Sequence, residues 1–101
     1  MKPTRFHPDA EAELIAAVAH YEDQRPGLGV DLQDEVEAAV GMLRARPEMF
    51  AVRPLDGLRK CPVRRFPYSI YYLELASVIW VAAVAHQSRK PGYWSGRSPI
   101  M

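Results

Sequence analysis

Apolar residues in the first half of the chain recur every three or four positions. Leu14, Ile15, Val18 and Tyr21 fall on one face of a predicted helix. Pro8 suits its first position, where a missing N–H costs nothing. Asp9, Glu11 and Glu13 then set negative charge in the opening turns, at the positive end of the helix dipole. Pro26 and Gly27 stop this helix near Gln24, and "RPGLG" makes the turn. A second helix is predicted from Leu28–Asp31 to about Arg46, ahead of Pro47. Leu32, Val36, Val40 and Leu43 form its stripe, with Ala39 alongside. Two helices joined by so short a link pack as an antiparallel hairpin.

Beyond Phe50 the period changes from helical to alternating. "PTRFH" near the N-terminus and "LRKCPVRRF", with Leu58, Cys61 and Val63 as its apolar members, read as extended segments. "PLDG" marks the turn before the second of these. From Phe66 the alternation is clean: Phe66, Tyr68, Ile70 and Tyr72 on one side, Arg65, Pro67, Ser69, Tyr71 and Leu73 on the other. Glu74 to Ser77 is a tight reversal into "VIWVAAVAHQ", apolar on both sides as a central, doubly covered strand must be. The predicted order is strand, helix, helix, strand, strand, strand. That is an α+β fold: an N-terminal strand, then an antiparallel helical hairpin packed on one face of a small, mostly antiparallel β-sheet. Residues 1–101 read as a single domain, with about 95–101 an irregular tail, mobile at its end.

Composition changes this picture little, and charge changes it more. Apolar residues are 49% and charged residues 25%, ordinary for a globular chain. The N-terminus lacks the apolar core of a signal peptide, and the longest apolar run, Val78 to Ala85, is too short to span a membrane. One cysteine, Cys61, allows no internal disulfide, and His7, His20 and His86 lie too far apart for metal-ligand spacing. The expectation is a cytoplasmic protein with no metal and no cofactor. Net charge is only +1, yet residues 1–50 hold five Lys/Arg against ten Asp/Glu (−5), and residues 51–101 hold eight against two (+6). A neutral average thus hides a basic C-terminal half, suited to an acidic macromolecular partner.

Four phrases in order, "FHPDAEAEL", "YEDQRPGLGVDLQDEVEAAV", "LRKCPVRRFPYSIYY" and "VAAVAHQSRKPGYW", resemble the RelE/ParE superfamily of type II toxin–antitoxin systems, the plasmid-stabilisation proteins. The resemblance runs from about Arg5 to Trp94. It implies a toxin neutralised by a cognate antitoxin whose C-terminal segment folds on binding, giving a toxin–antitoxin hetero-oligomer. It also implies one of two targets. ParE-like members inhibit growth through DNA gyrase. RelE-like members are endonucleases that cut mRNA on the ribosome. A third possibility is a degenerate member that binds antitoxin and poisons nothing.

RNA cleavage by its own 2′-hydroxyl needs a base, an acid at the leaving oxygen, and cations around the phosphorane. The RelE-like reading assigns those roles to Arg65, His86, Arg89 and Tyr93, with His86 the best proton carrier on chemical grounds. The same lineup sets Gln87 where cutting enzymes carry a last-strand arginine, and Arg89 comes two residues late. Arg59, Lys60, Arg64, Tyr71 and Trp94 are the candidate partner contacts. Arg64 and Arg65 could equally pair with the acidic helices, His86 could be structural, and Trp94 with Tyr93 could anchor the tail. Tyr68, Tyr72 and Trp80 are expected in the core, with Cys61 a small apolar filler. Glu11, Glu13, Glu35 and Glu37 are expected on solvated faces. The expected docking surface is the face of the sheet that the helices leave open, rimmed by arginines.

Overall fold

The computed structural model describes residues 1–99. β1 (Thr4–Phe6) leads into α1 (Pro8–Gln24) and α2 (Leu28–Ala45), followed by a 3-10 turn at Pro47–Met49. β2 (Arg59–Pro62), β3 (Tyr68–Glu74) and β4 (Ile79–His86) complete a four-stranded sheet of order β1-β4-β3-β2. β1 runs parallel to β4, and the other pairings are antiparallel. The predicted element order and both helix ends hold. The strand expected from Phe66 begins at Tyr68, because Arg65 at φ 70° and Pro67 keep residues 64–67 in a turn.

The hairpin is closed by its own side chains. His7 caps α1, its Nδ1 accepting from the Asp9 amide at 3.0 Å. Glu22 caps α2: its two carboxylate oxygens accept from the amides of Gly27 (2.9 Å) and Gly29 (3.0 Å). Gly27 turns the chain at φ 91°. Gly29 lets the helices meet, since a Cβ there would lie 2.5 Å from the Val18 carbonyl oxygen.

One face of the sheet carries Ile70, Tyr72, Ile79, Val81 and Val84 against Leu32, Val36, Ala39 and Leu43 of α2 and Leu14, Val18 and Tyr21 of α1. Cys61 is fully buried in this core, which pushes its thiol up to about 11. The other face is not open, contrary to expectation. Leu58, Tyr71, Trp80, Ala82, Ala83, Ala85 and Trp94 form a second cluster, joined by Leu73, Leu75 and Tyr93. The residues just ahead of the expected tail, Tyr93 and Trp94, join it and take the anchoring alternative, because two large rings gain more buried there than in water. The final residues of that tail, Ile100 and Met101, lie outside the described residues.

The ladder between β3 and β4 slips by one residue. Val81 pairs with Tyr72 and Ala83 with Tyr71, so Ala82 has no opposite number. Ala82 and Ala83 consequently both join the second cluster, while Val84 returns to the first.

Candidate functional site

The shift in β4 and the early end of β1 leave ladder groups for side chains to satisfy. Glu13, from the middle of α1, reaches the sheet and accepts from the Val84 amide through Oε1 (3.0 Å). Arg97, from the C-terminal segment, donates through Nη1 to the Ala82 carbonyl (2.8 Å) and to Glu13 Oε1 (3.1 Å), and through Nη2 to Glu13 Oε2 (2.9 Å). The Tyr93 hydroxyl donates to the same Oε2 at 2.6 Å. Glu13 is therefore the hub of a largely buried cluster rather than part of a solvated face. Burial alone would raise its carboxyl, but the hydrogen bonds from Arg97, Tyr93 and the Val84 amide outweigh that and hold it below the ordinary value. Burial, followed by the Glu13 contact, pushes the Tyr93 phenol well above its ordinary range.

Above the hub lies a cleft of about 230 Å³, lined by Glu13, Ala16, Ala17, His20, Tyr68, Val84, His86 and Arg89. The Arg89 guanidinium stacks on the Tyr93 ring, with Cζ 3.6 Å from its centroid, and sits 3.5 Å from Glu13 Oε2 while staying half exposed. His86 ends β4, edge-on to Tyr68 at 5.0 Å, and its Nδ1 accepts from the Ser88 amide at 3.0 Å. Between β1, α1 and α2, Phe6, Leu14, Val36, Val40 and Gly41 line a groove of about 380 Å³, rimmed by Gln33, Glu37 and Arg44.

Of the four residues proposed for cleavage, His86 and Arg89 share the cleft and Tyr93 underlies Arg89. Arg65 is not among the residues lining that cleft; it pairs with Asp31 of α2 at 3.6 Å and lies over Phe66. Among the candidate partner contacts, Lys60 and Arg64 are exposed. Arg59 donates to the carbonyls of Phe50 and Glu48, holding the turn after α2. Tyr71 and Trp94 are 8% and 3% exposed, so neither offers a free face. They stack on each other at 4.0 Å beneath the Arg53 guanidinium, and Trp94 donates to Asp56 at 3.2 Å. The expectation of an outward-facing Tyr71 is corrected, and Trp94 takes the anchoring alternative: once the segment around Trp94 lies on the sheet, the side of β3 that carries Tyr71 becomes interior. Glu13 and Arg97 were missed. The only signal for them was an acid on the sheet-facing stripe of the first helix, one residue before Leu14.

This hairpin-on-sheet arrangement defines an α+β fold shared with toxin–antitoxin proteins. A chain of the solved structure titled "Chromosomal ParDE TA system from P. aeruginosa" aligns with a TM-score of 0.73 at 21% identity, covering 85% of this chain and 96% of that one. Residues 4–91 match the family described as "ParE toxin of type II toxin-antitoxin system, parDE". The chain belongs to that family. No curated protein matches it.

Proposed function

We propose that the chain is a ParE-like growth inhibitor that acts in the cytoplasm by binding DNA gyrase, and that a cognate antitoxin neutralises it. The observation that carries the binding mode is the state of the would-be cleavage set. Tyr93 is committed to Glu13, Glu13 already accepts from four donors, and Arg65 is engaged at α2 instead of the cleft. A nuclease needs a free base and acid around its phosphate, and of the four candidates only His86 brings a proton-carrying ring to the lining of the cleft. For the antitoxin, the groove of Phe6, Leu14, Val36 and Val40 suits the apolar side of a segment that orders on contact. The exposed Lys60 and Arg64 suit the acidic character expected of that segment or of the target.

The experiment is induction of the chain alone in a bacterium, with and without co-expression of any short reading frame that adjoins its gene. Growth arrest with accumulation of gyrase–DNA cleavage complexes, relieved by the neighbour, is the expected result. Message cleavage during translation that disappears with His86→Ala or Arg65→Ala would replace this reading with the endonuclease one, for which the shared cleft of His86 and Arg89 speaks. A soluble, folded product without growth arrest identifies a degenerate member.

A further inference from the structure

We infer that the hollow where β1 meets the start of α1, on the side of the sheet away from the hairpin, binds a carboxylate carried on an apolar body. Along β1, Phe6 turns into the first core, so Arg5, one residue earlier, turns to the second face. Its partner in register is Trp80, a member of the cluster on that face. The two side chains line a hollow of about 230 Å³ together with Phe6, His7, Pro8 and Ser98. Trp80 also lines an adjoining hollow of about 360 Å³, walled by Leu55, Leu58, Leu73, Ala82 and Trp94.

Trp80 is 5% exposed, and its indole N–H has no acceptor among the described residues, whereas that of Trp94 is taken by Asp56 at 3.2 Å. A donor buried without a partner is costly. Among the described residues the one unmatched side-chain nitrogen or oxygen sealed from solvent is Arg53 Nη1. The Trp80 N–H is therefore not sealed, and it opens on the hollows that its ring lines. His7 behaves alike. Its Nδ1 takes the Asp9 amide proton, and an amide only donates, so the ring's own proton sits on Nε2, again without an acceptor. Arg5 adds an exposed guanidinium with no acid at ion-pair distance among the described residues. The other charges nearby are already engaged. Arg97 is shared between Glu13 and Asp9, the Asp9 side chain is 68% exposed to water, and Asp56 takes Arg53, Trp94 and the Leu58 amide.

Donors without acceptors call for an anion. One free cation matches one negative charge, so a doubly charged phosphate would leave charge unmatched against mostly apolar walls. A carboxylate fits: the guanidinium takes one or both of its oxygens, the indole N–H completes the set, and the apolar remainder lies along the leucine-lined hollow. This site shares no residue with the cleft at His86 and requires no particular target of the toxin, so its failure leaves the gyrase reading untouched.

The test is a titration of the full chain with hexanoate at constant ionic strength, followed by the indole N–H resonances of its two tryptophans, which Trp80→Phe assigns. A saturable shift of the Trp80 signal at millimolar hexanoate is expected, with the Asp56-held Trp94 signal moving less. Arg5→Met should weaken binding by at least about tenfold, since the loss of one charged hydrogen bond is of that size. Arg46→Met, which removes an exposed cation at the end of α2, should leave it unchanged. Hexanamide, which lacks the charge, and acetate, which lacks the apolar body, should each bind at least about tenfold more weakly. A parallel titration with acetyl-Leu-Glu-Leu-amide identifies the carrier: tighter binding than hexanoate names an acidic peptide, and otherwise the carrier is a free acid. Arg5 is exposed, so the unfolding midpoint of Arg5→Met stays in place. The proposal is overturned by the absence of a saturable shift up to about 100 mM, far above the millimolar range of weak binding. A shift that survives Arg5→Met intact, or equal affinity for hexanamide, overturns it as well.

Discussion

Replacing Glu13 by Gln keeps the size of the side chain and removes its charge. The side chains of Glu13 and Arg97 are 14% and 13% exposed, so their pair is closer to a buried ion pair than to a surface one. The geometry dictates three losses. The Arg97 guanidinium loses its counter-charge. A carboxamide offers one oxygen where two now accept, and its NH2 faces Arg97 whichever way it turns, together with the Val84 amide or the Tyr93 hydroxyl. Whichever oxygen is lost leaves a donor unmatched in a site with little water. Breaking a buried pair by removing one member costs about 3–5 kcal/mol, and the residual exposure here argues for the lower figure, about 3 kcal/mol. In a domain of this size that is a large share of a total of about 5–15 kcal/mol, and it corresponds to a fall in Tm of about 12–24 °C. Thermal and urea unfolding at pH 7, followed by circular dichroism, measure it. The pH dependence provides a second readout. Because the folded carboxyl ionises below its ordinary value of 4.5, its contribution is whole above that pH and is lost as pH falls through the folded value. Glu13→Gln should remove that acid slope. A loss below about 1 kcal/mol, the level of an exposed pair, would refute the reasoning. So would simple additivity of Glu13→Gln with Arg97→Met, because two members of one network must couple.

Tyr93 predicts the opposite limb. Its phenol is raised by burial and by Glu13, so the stabilisation it brings is complete below the unfolded value of about 10 and declines as pH rises above it; Tyr93→Phe should flatten that alkaline decline in a pH series of urea midpoints. Gly29→Ala forces a methyl to 2.5 Å from the Val18 carbonyl oxygen and should destabilise by about 2 kcal/mol, read from the same midpoints. Cys61, pushed up to about 11 by burial, should resist iodoacetamide at pH 8 in the native protein and react on unfolding, as mass spectrometry would record.

Local periodicity made the helices and strands legible. Pro8, Pro26, Gly27 and Pro47 bracket α1 and α2 because proline and glycine act within a residue or two of where they stand. The doubly apolar β4 was legible for a different reason: a strand with neighbours on both faces has no polar side. What occupies its second face was not. The segment after β4 carries no periodicity, and its docking rests on contacts distant in sequence, such as Trp94 with Asp56 and Arg97 with Glu13, separated by 38 and 84 positions. The same distance hid the hub. Glu13 reads as one acid among several in an acidic helix, and the residue it serves, Val84, needs it only because β1 is three residues long and leaves that amide without a neighbouring strand. His86 and Arg89 were found as neighbours in sequence. Arg65, grouped with them by chemistry, is drawn away by Asp31 of α2.

The strand at the centre of the sheet is the last one to be made. β4 lies between β1 and β3, and its partners Thr4 and Ile79 stand 75 positions apart. A growing polypeptide that has not yet reached residue 79 holds two amphipathic helices with half a floor beneath them and no means of attaching its own beginning. Closing the sheet thus awaits the synthesis of β4 up to residue 86, and Arg97 adds its clamp on Ala82 later still. In a chain built in this order the helices and the outer strands wait on β4, and the two halves of the sheet become one body only when that strand slots between them.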